Sequence, residues 1–342
     1  MTLDSASLTA ASDSPLRLMP KVELHCHVEG SARAQTVAEL AAHHQIEIGV
    51  DDPADLYHYE SLAEFLAAFG TVCSVLQTPQ DFHRLAYEAA EDGAYAGIKY
   101  REMFFSPGFH LERGIPFDVM WQGLVAGVAE GEADFGTRTR LILDVDKPKL
   151  LGPAMALLEI ARGLDRDLLI GIGGDSTERG IDHRVFAPLM AEAHNIGLKT
   201  CFHVGEDGPA ENIRHMVDAG IDRIDHGTRL LEDPELARQV IDEQIPLTSC
   251  PSSNAALGIV DSLADHPFAA QREAGALITL NSDDPTFFQF DLADEYERIA
   301  ATFDFDHDTM VAINDAAITA SWLDDSDKAV LRAEFSNPDL AR

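Results

Sequence analysis

Val22-Glu23-Leu24-His25-Cys26-His27-Val28 reads as an apolar strand that ends in two histidines. Side chains on a strand alternate faces with period two, so His25 and His27 point the same way, one step apart. Two imidazoles so placed can share one divalent cation. An isolated HxH pair specifies little. Three later runs end in the same kind of chemistry: Phe202-His203-Val204-Gly205-Glu206, Ile224-Asp225-His226-Gly227 and Leu280-Asn281-Ser282-Asp283-Asp284-Pro285.

Working outward, strand-like runs recur at 22–27, 98–105, 139–145, 168–173, 199–203, 223–226, 245–250 and 276–281. Segments of helical periodicity separate them, among them 35–43, 62–75, 81–96, 117–135, 152–162, 185–195, 210–219, 234–243 and 267–274. Strands alternating with helices in this number predict an α/β fold, a TIM (β/α)8 barrel. The long gap between the first two strands predicts a helical insertion, and 291–302, 310–322 and 328–335 predict extra C-terminal helices. A barrel puts its chemistry at the C-terminal ends of the strands. On that rim the reading places His25, His27, Glu102, Gly174-Asp175-Ser176, His203, Glu206, His226, Asp283 and Asp284. A doubly wound dinucleotide sheet would need a Gly-rich loop after the first strand, and Gly30-Ser31-Ala32 is not one. Residues 1–14 read as a disordered leader and 15–342 as a single domain.

The chain has 342 residues, 46% of them hydrophobic, enough to bury a large core. It has neither an apolar run of membrane-spanning length nor a secretory signal. Cys26, Cys73, Cys201 and Cys250 form no CxxC pair and read as reduced thiols in the cytoplasm. With 25 basic against 59 acidic residues the formal net charge is −34. That field repels phosphates and anionic lipid, so neither nucleic acid nor membrane is an expected partner. A neutral small molecule is the substrate class least affected. The oligomeric state is not specified.

Three neutral imidazoles and a carboxylate suit zinc, and His25, His27, His203 and Asp283 are assigned as its ligands. The alternative for His203 is a buried core histidine, and for Asp283 a helix cap before Pro285. Capping explains two adjacent aspartates poorly, because they repel unless a positive group is near. Dinuclear hydrolases of this architecture bridge their ions with a modified lysine on the fourth strand. The run Leu168-Leu169-Ile170-Gly171-Ile172-Gly173 contains none, which predicts one Zn2+ per chain. His226 is then free to orient the attacking water, and Glu206 suits a proton shuttle; a helix cap near Pro209 is its structural alternative.

The assembled motifs resemble the adenosine/adenine deaminase family. The matching pieces are Pro20-Lys21-Val22-Glu23-Leu24-His25-Cys26-His27, His203-Val204-Gly205-Glu206, Asp225-His226-Gly227, Ser249-Cys250-Pro251-Ser252-Ser253-Asn254 and Asn281-Ser282-Asp283-Asp284-Pro285. They stand in the family's order and span most of the chain. The resemblance implies a zinc barrel that replaces the 6-amino group of a purine with oxygen and releases ammonia. It implies that Glu206 protonates N1 as C6 is attacked, that His226 orients the hydroxide, and that Asp284 hydrogen-bonds N7. Asp284 must then be protonated or face a protonated N7; burial and Asp283 would raise its pKa, opposed by the metal's positive charge.

The residue after the HxH pair bears on the substrate. Glu29-Gly30 looks like the free-adenine branch, in which the glutamate takes space a ribose would need. The segments 104–107, 113–117 and Gly174-Asp175-Ser176-Thr177-Glu178 are similar to that branch. Tyr100-Arg101-Glu102 and Ser106-Pro107-Gly108-Phe109 resemble the adenosine branch. The order of expectation is adenine, then adenosine, then another 6-amino or N6-substituted purine. Either Gly174 or Ser176 would supply a backbone donor to N3. A zinc hydrolase of another class on the same barrel and a non-catalytic purine binder are the remoter alternatives. Phe65, Phe69 and Val72 form a helical stripe that reads as packing, with a lid as its functional alternative, and Asn254 reads as a turn former.

Overall fold

The structure, a computed structural model, describes residues 14–59 and 62–336. The leader expected over 1–14 lies, Ser14 apart, outside them. Eight strands follow one another around the sheet in chain order: β1 Lys21–His27, β2 Ile98–Phe105, β3 Arg138–Asp146, β4 Leu169–Asp175, β5 Lys199–Val204, β6 Arg223–His226, β7 Leu247–Ser249 and β8 Ile278–Leu280. Every adjacent pair is parallel. All seven residues of β1 are buried, as expected of a strand covered on one side by helices and on the other by the barrel interior.

Closure happens between β8 and β1. The His27 N–H donates to the Asp283 carbonyl at 2.8 Å, and the Asp283 N–H donates to the His25 carbonyl at 3.2 Å. β7 and β8 are three residues each, shorter than predicted, because a side chain takes over part of the ladder. Asn281 accepts from the Leu24 N–H at 2.8 Å and donates to the Ser249 carbonyl at 3.2 Å, bridging β1 and β7 across β8.

The predicted insertion is present between β1 and β2. It includes the helices Ala34–His44, Leu62–Val75 and Pro79–Tyr95. The last begins with a Thr78/Asp81 capping box and Pro79 in its first turn. The C-terminal helices Leu292–Phe303, His307–Ala320 and Asp325–Phe335 are also present. Ala317, Ile318, Ala320 and Leu331 pack with Val22, Leu24 and Tyr100. Among the described residues no helix is long and apolar enough to cross a membrane.

Glu102 departs from its predicted place on the rim. It sits in the middle of β2, fully buried, and pairs with Arg223 at the start of β6. Tyr100 Oη donates to it at 2.9 Å and the Trp322 N–H at 2.8 Å. Arg223 in turn donates to the Leu24 carbonyl and lies 4.0 Å from the centre of the Trp322 ring. This network ties the segment after helix His307–Ala320 to strands β1, β2 and β6, below the rim.

β1 also breaks the simple alternation. Glu23 pairs with Arg101 and Cys26 with Met103, so two residues of β1 oppose the single residue Glu102. The bulge puts Glu23 and Cys26 on one face, where both touch Arg101. Without it Glu23 would share a face with His25 and His27.

Truncating a fully buried ion pair leaves its partner charged and unsatisfied. Arg223→Met is therefore expected to lower stability by about 3–5 kcal/mol. Arg33→Met, which breaks a half-exposed pair with Glu91 and Asp92, should cost only about 0–1 kcal/mol. Urea denaturation of the two variants measures the difference.

Candidate active site

The barrel seam brings three predicted ligands together and β5 adds the fourth. His25 Nε2 lies 3.2 Å from Asp283 Oδ1, and His27 Nε2 lies 3.5 Å from the same oxygen. His27 Nε2 and His203 Nε2 are 3.1 Å apart. Four ligands around one zinc, with bonds of about 2.0–2.1 Å, would stand roughly 3.3 Å from one another. His226 competes on proximity: with His25, His203 and Asp283 it offers ligand atoms that all lie within 4.8 Å of one another.

Second contacts decide which imidazole nitrogens are available. Thr248 Oγ1 donates to Asp225 Oδ1 at 2.7 Å and so receives the His25 Nδ1–H at 3.0 Å. The Gly174 carbonyl, which can only accept, takes the His203 Nδ1–H at 3.1 Å. His27 Nδ1 faces Asp144 Oδ2 at 3.9 Å. Protons on Nδ1 leave Nε2 lone pairs facing inward, the arrangement of metal-ligating histidines with acceptors behind them. Burial holds His203 well below the usual imidazole range and His27 at about 4, so both are neutral. Two lone pairs facing each other at 3.1 Å call for a cation between them.

His25 tells the same story with the opposite sign. Burial opposes charge on its ring, but contacts with Asp225 and Asp283 prevail and push it up to about 9. Its buried Nε2 makes no aligned hydrogen bond. The site asks for positive charge at that nitrogen, and a dication there would displace the proton. Asp283, despite burial, is held below the usual carboxylate range by His25 and the neighbouring histidines. Its φ of +67° is a left-handed conformation uncommon for aspartate. A buried lysine stands nearby: Lys147, just after β3, donates its Nζ to the His203 carbonyl oxygen.

Beside this cluster lies a cavity lined by His27, His203, Glu206, Asp283 and Asp284 on one side. Asp175, Ser176 and Thr177 from β4 and its loop also line it, as do Phe65, Phe69 and Phe109. All three residues of the stripe belong to the core, and Phe65 and Phe69 also line the cavity. Glu206 is pushed up to about 8 by burial and by the charges of Asp283 and Glu178, which favours its protonated form. Burial and Asp283 raise Asp284 well above the usual carboxylate range. Its Oδ1 has no hydrogen-bond partner, and a Cβ on Gly30 would lie 1.9 Å from that oxygen. Glycine at 30 is what lets this carboxyl stand there. Of the two N3-donor candidates, Ser176 lines the cavity; Gly174 instead turns its carbonyl to His203. Glu29 is fully buried and accepts from the Ser106 N–H at 3.1 Å, with His110 Nε2 at 3.2 Å.

Several functional contacts escaped the sequence reading. Thr248, Asp225 and Asp144 behind the histidines come from strands remote in the chain. Asn254, expected as a turn former, is buried and donates to Glu206 Oε1 at 3.0 Å. Glu178 clamps the loop that carries Glu206: its carboxylate accepts from the N–H groups of Gly205 (3.0 Å), Glu206 (2.8 Å) and Gly208 (3.1 Å), and from Asn212 Nδ2 (2.8 Å). In return Asp207 accepts from Thr177 Oγ1 and the Glu178 N–H. Glu178 stood inside a quoted motif, but its four bonds depend on loop conformations that spacing does not encode.

Comparison with known proteins follows the geometry. The family model described as adenosine deaminase matches residues 20–338. An adenine deaminase of Sphingopyxis alaskensis is 35% identical over 316 residues, 91% of this chain and 92% of that protein. The crystal structure of adenine deaminase from Arthrobacter aurescens superposes with a TM-score of 0.88 at 33% identity, covering 93% of this chain and 98% of that one. A Burkholderia ambifaria amidohydrolase, solved with bound Zn, superposes with a TM-score of 0.89 at 27% identity, covering 99% and 94%.

Glu178→Gln turns an acceptor oxygen into an NH2 group that faces backbone donors. Losing charge-assisted bonds worth about 1.5–3 kcal/mol should speed amide exchange at Gly205, Glu206 and Gly208 by roughly tenfold or more. Hydrogen-exchange mass spectrometry of the 205–208 loop reads this directly; unchanged protection would remove Glu178 from the clamp.

Proposed function

We propose the following function for this chain, which belongs to the adenosine deaminase family: it hydrolyses adenine to hypoxanthine and ammonia. The observation that carries the site assignment is the cluster of His25, His27, His203 and Asp283 donors beside one cavity, together with two carboxyls whose pKa burial raises, Glu206 and Asp284. Free adenine, rather than its nucleoside, is supported by the relatives of that name and by the buried Glu29, locked in place by Ser106 and His110.

In this reading His25, His27, His203 and Asp283 hold one zinc ion per chain. When bound, zinc supplies Lewis acidity that brings a water's pKa down to near 7. Glu206 gives its proton to ring N1 as oxygen attacks C6, relieving the charge that loss of aromaticity would put on the ring. It is then the carboxylate that takes up the attacking water's two protons in turn, passing the first to the departing amine and keeping the second as C6=O forms, so that it ends protonated as it began. The balance is one water consumed and one ammonia released. Asp284, protonated, donates to N7. His226 orients the water, and Ser176 is the donor to N3. Phe65, Phe69 and Phe109 line the cavity with apolar surface and limit water around the ring. Residues 15–342 act as one domain, and a cytoplasmic setting is supported by four buried, unpaired cysteines.

Purified protein should contain one zinc per chain and release ammonia from adenine with a higher kcat/KM than from adenosine. Glu206→Gln should keep the zinc and lose at least about a hundredfold in kcat, the usual contribution of a positioned general acid. His203→Ala should lose both. Elemental analysis with a coupled ammonia assay measures these outcomes. A Glu206→Gln enzyme with near-normal turnover would point instead to hydrolysis that needs no ring protonation.

A further inference from the structure

Beside Glu206, Asn254 is the centre of a buried network. It begins at a group whose role is fixed. The Phe268 N–H donates to His266 Nδ1 at 3.1 Å. A backbone amide only donates, so Nδ1 carries a lone pair, and the proton of the neutral imidazole sits on Nε2. His266 is 3% exposed, and burial pushes its pKa down to about 4, which keeps it neutral. Its Nε2 lies 3.1 Å from Asn254 Oδ1. The Thr228 hydroxyl donates to the same oxygen at 3.1 Å.

Two donors on one oxygen fix the orientation of the amide. The Asn254 NH2 then faces Glu206 Oε1 at 3.0 Å and His226 Nδ1 at 3.3 Å. Turning the amide over would set its NH2 against the His266 Nε2–H, which can only donate. His226 Nδ1 accordingly accepts, and the His226 proton belongs on Nε2.

We propose that His266 is a positioning residue that acts through Asn254 to orient Glu206 and to make His226 a hydrogen-bond donor. The inference rests on the deaminase reading above. It has two consequences there. One oxygen of Glu206 is anchored, which leaves the other to meet ring N1. His226 presents an N–H to the attacking water's oxygen and no lone pair to a metal, which takes it out of the competition that proximity leaves open.

The test is a double-mutant cycle on the zinc-loaded enzyme with adenine. Outer-shell partners of this kind are worth roughly ten- to a hundredfold, so His266→Ala and Asn254→Ala should each lower kcat by about that factor, with KM and zinc content little changed. Because His266 acts only through Asn254, the double variant should be no slower than Asn254→Ala. His266→Gln, which keeps one donor and one acceptor, should recover most of the loss. Losses that multiply, or a His266→Ala enzyme with normal kcat, would overturn the proposal. One readout stands apart from activity: 15N NMR of the wild-type holoenzyme should show His266 as the Nε2–H tautomer. An Nδ1–H tautomer or an imidazolium at neutral pH would overturn the inference even if adenine is turned over. Failure to turn over adenine with the Nε2–H signature intact would count against the deaminase reading and leave the network standing.

Discussion

The barrel closes through the residues that would hold its metal. Two backbone hydrogen bonds, from His27 to Asp283 and from Asp283 to His25, are the seam between β8 and β1. The side chains of the same three residues supply three of the four donors. Neither feature can shift without the other. Asp283 accepts a left-handed backbone, a conformation that costs about 1–3 kcal/mol, and the closing bonds hold it there. His226 and Ser176 share this feature, with φ of +62° and +67°, so three rim positions carry backbone strain, and two of them, Asp283 and Ser176, line the cavity.

Below and around the seam the molecule spends its buried polar groups differently. In the middle of the barrel Glu102 and Arg223 satisfy each other and draw in Tyr100, Leu24 and Trp322. Only Arg223 Nε is left there without a hydrogen bond, 3.8 Å from Asp225 Oδ1. At the rim the accounting is left open: His25 Nε2, both Asp144 oxygens and Asp284 Oδ1 are buried without hydrogen-bond partners. Incompleteness of this kind is costly in a finished core and is expected where a cation and a substrate complete the set. The loop that carries Glu206 is held by groups of its own, Glu178 on the 205–208 backbone and Asn254 on the Glu206 carboxyl.

The sequence revealed what depends on periodicity. Alternating strands and helices predicted the barrel, and strand ends predicted His25, His27, His203, Glu206, His226, Asp283 and Asp284 on one rim; five of them, His27, His203, Glu206, Asp283 and Asp284, line the cavity. Period two also misled. It could not show the bulge that separates Glu23 from the histidines, because a bulge is a property of the pairing with β2; and Glu102, read as a strand end, lies mid-strand. The second contacts were invisible for a related reason. Thr248 meets His25 across 223 positions, and Glu178 meets Glu206 across 28. Asn254 looked like any turn residue because its importance comes from His266 and Thr228 fixing its amide. Gly30 shows the same limit, since its need for a bare Cα is set by the position of Asp284.

The central claim is a single cation caged by His25, His27, His203 and Asp283. X-ray absorption at the zinc edge of the purified holoenzyme tests it most directly. The account predicts three imidazole nitrogens at about 2.0–2.1 Å, oxygen in the remaining positions and no metal neighbour. A fourth imidazole, or a second metal at about 3.5–4 Å, would contradict it.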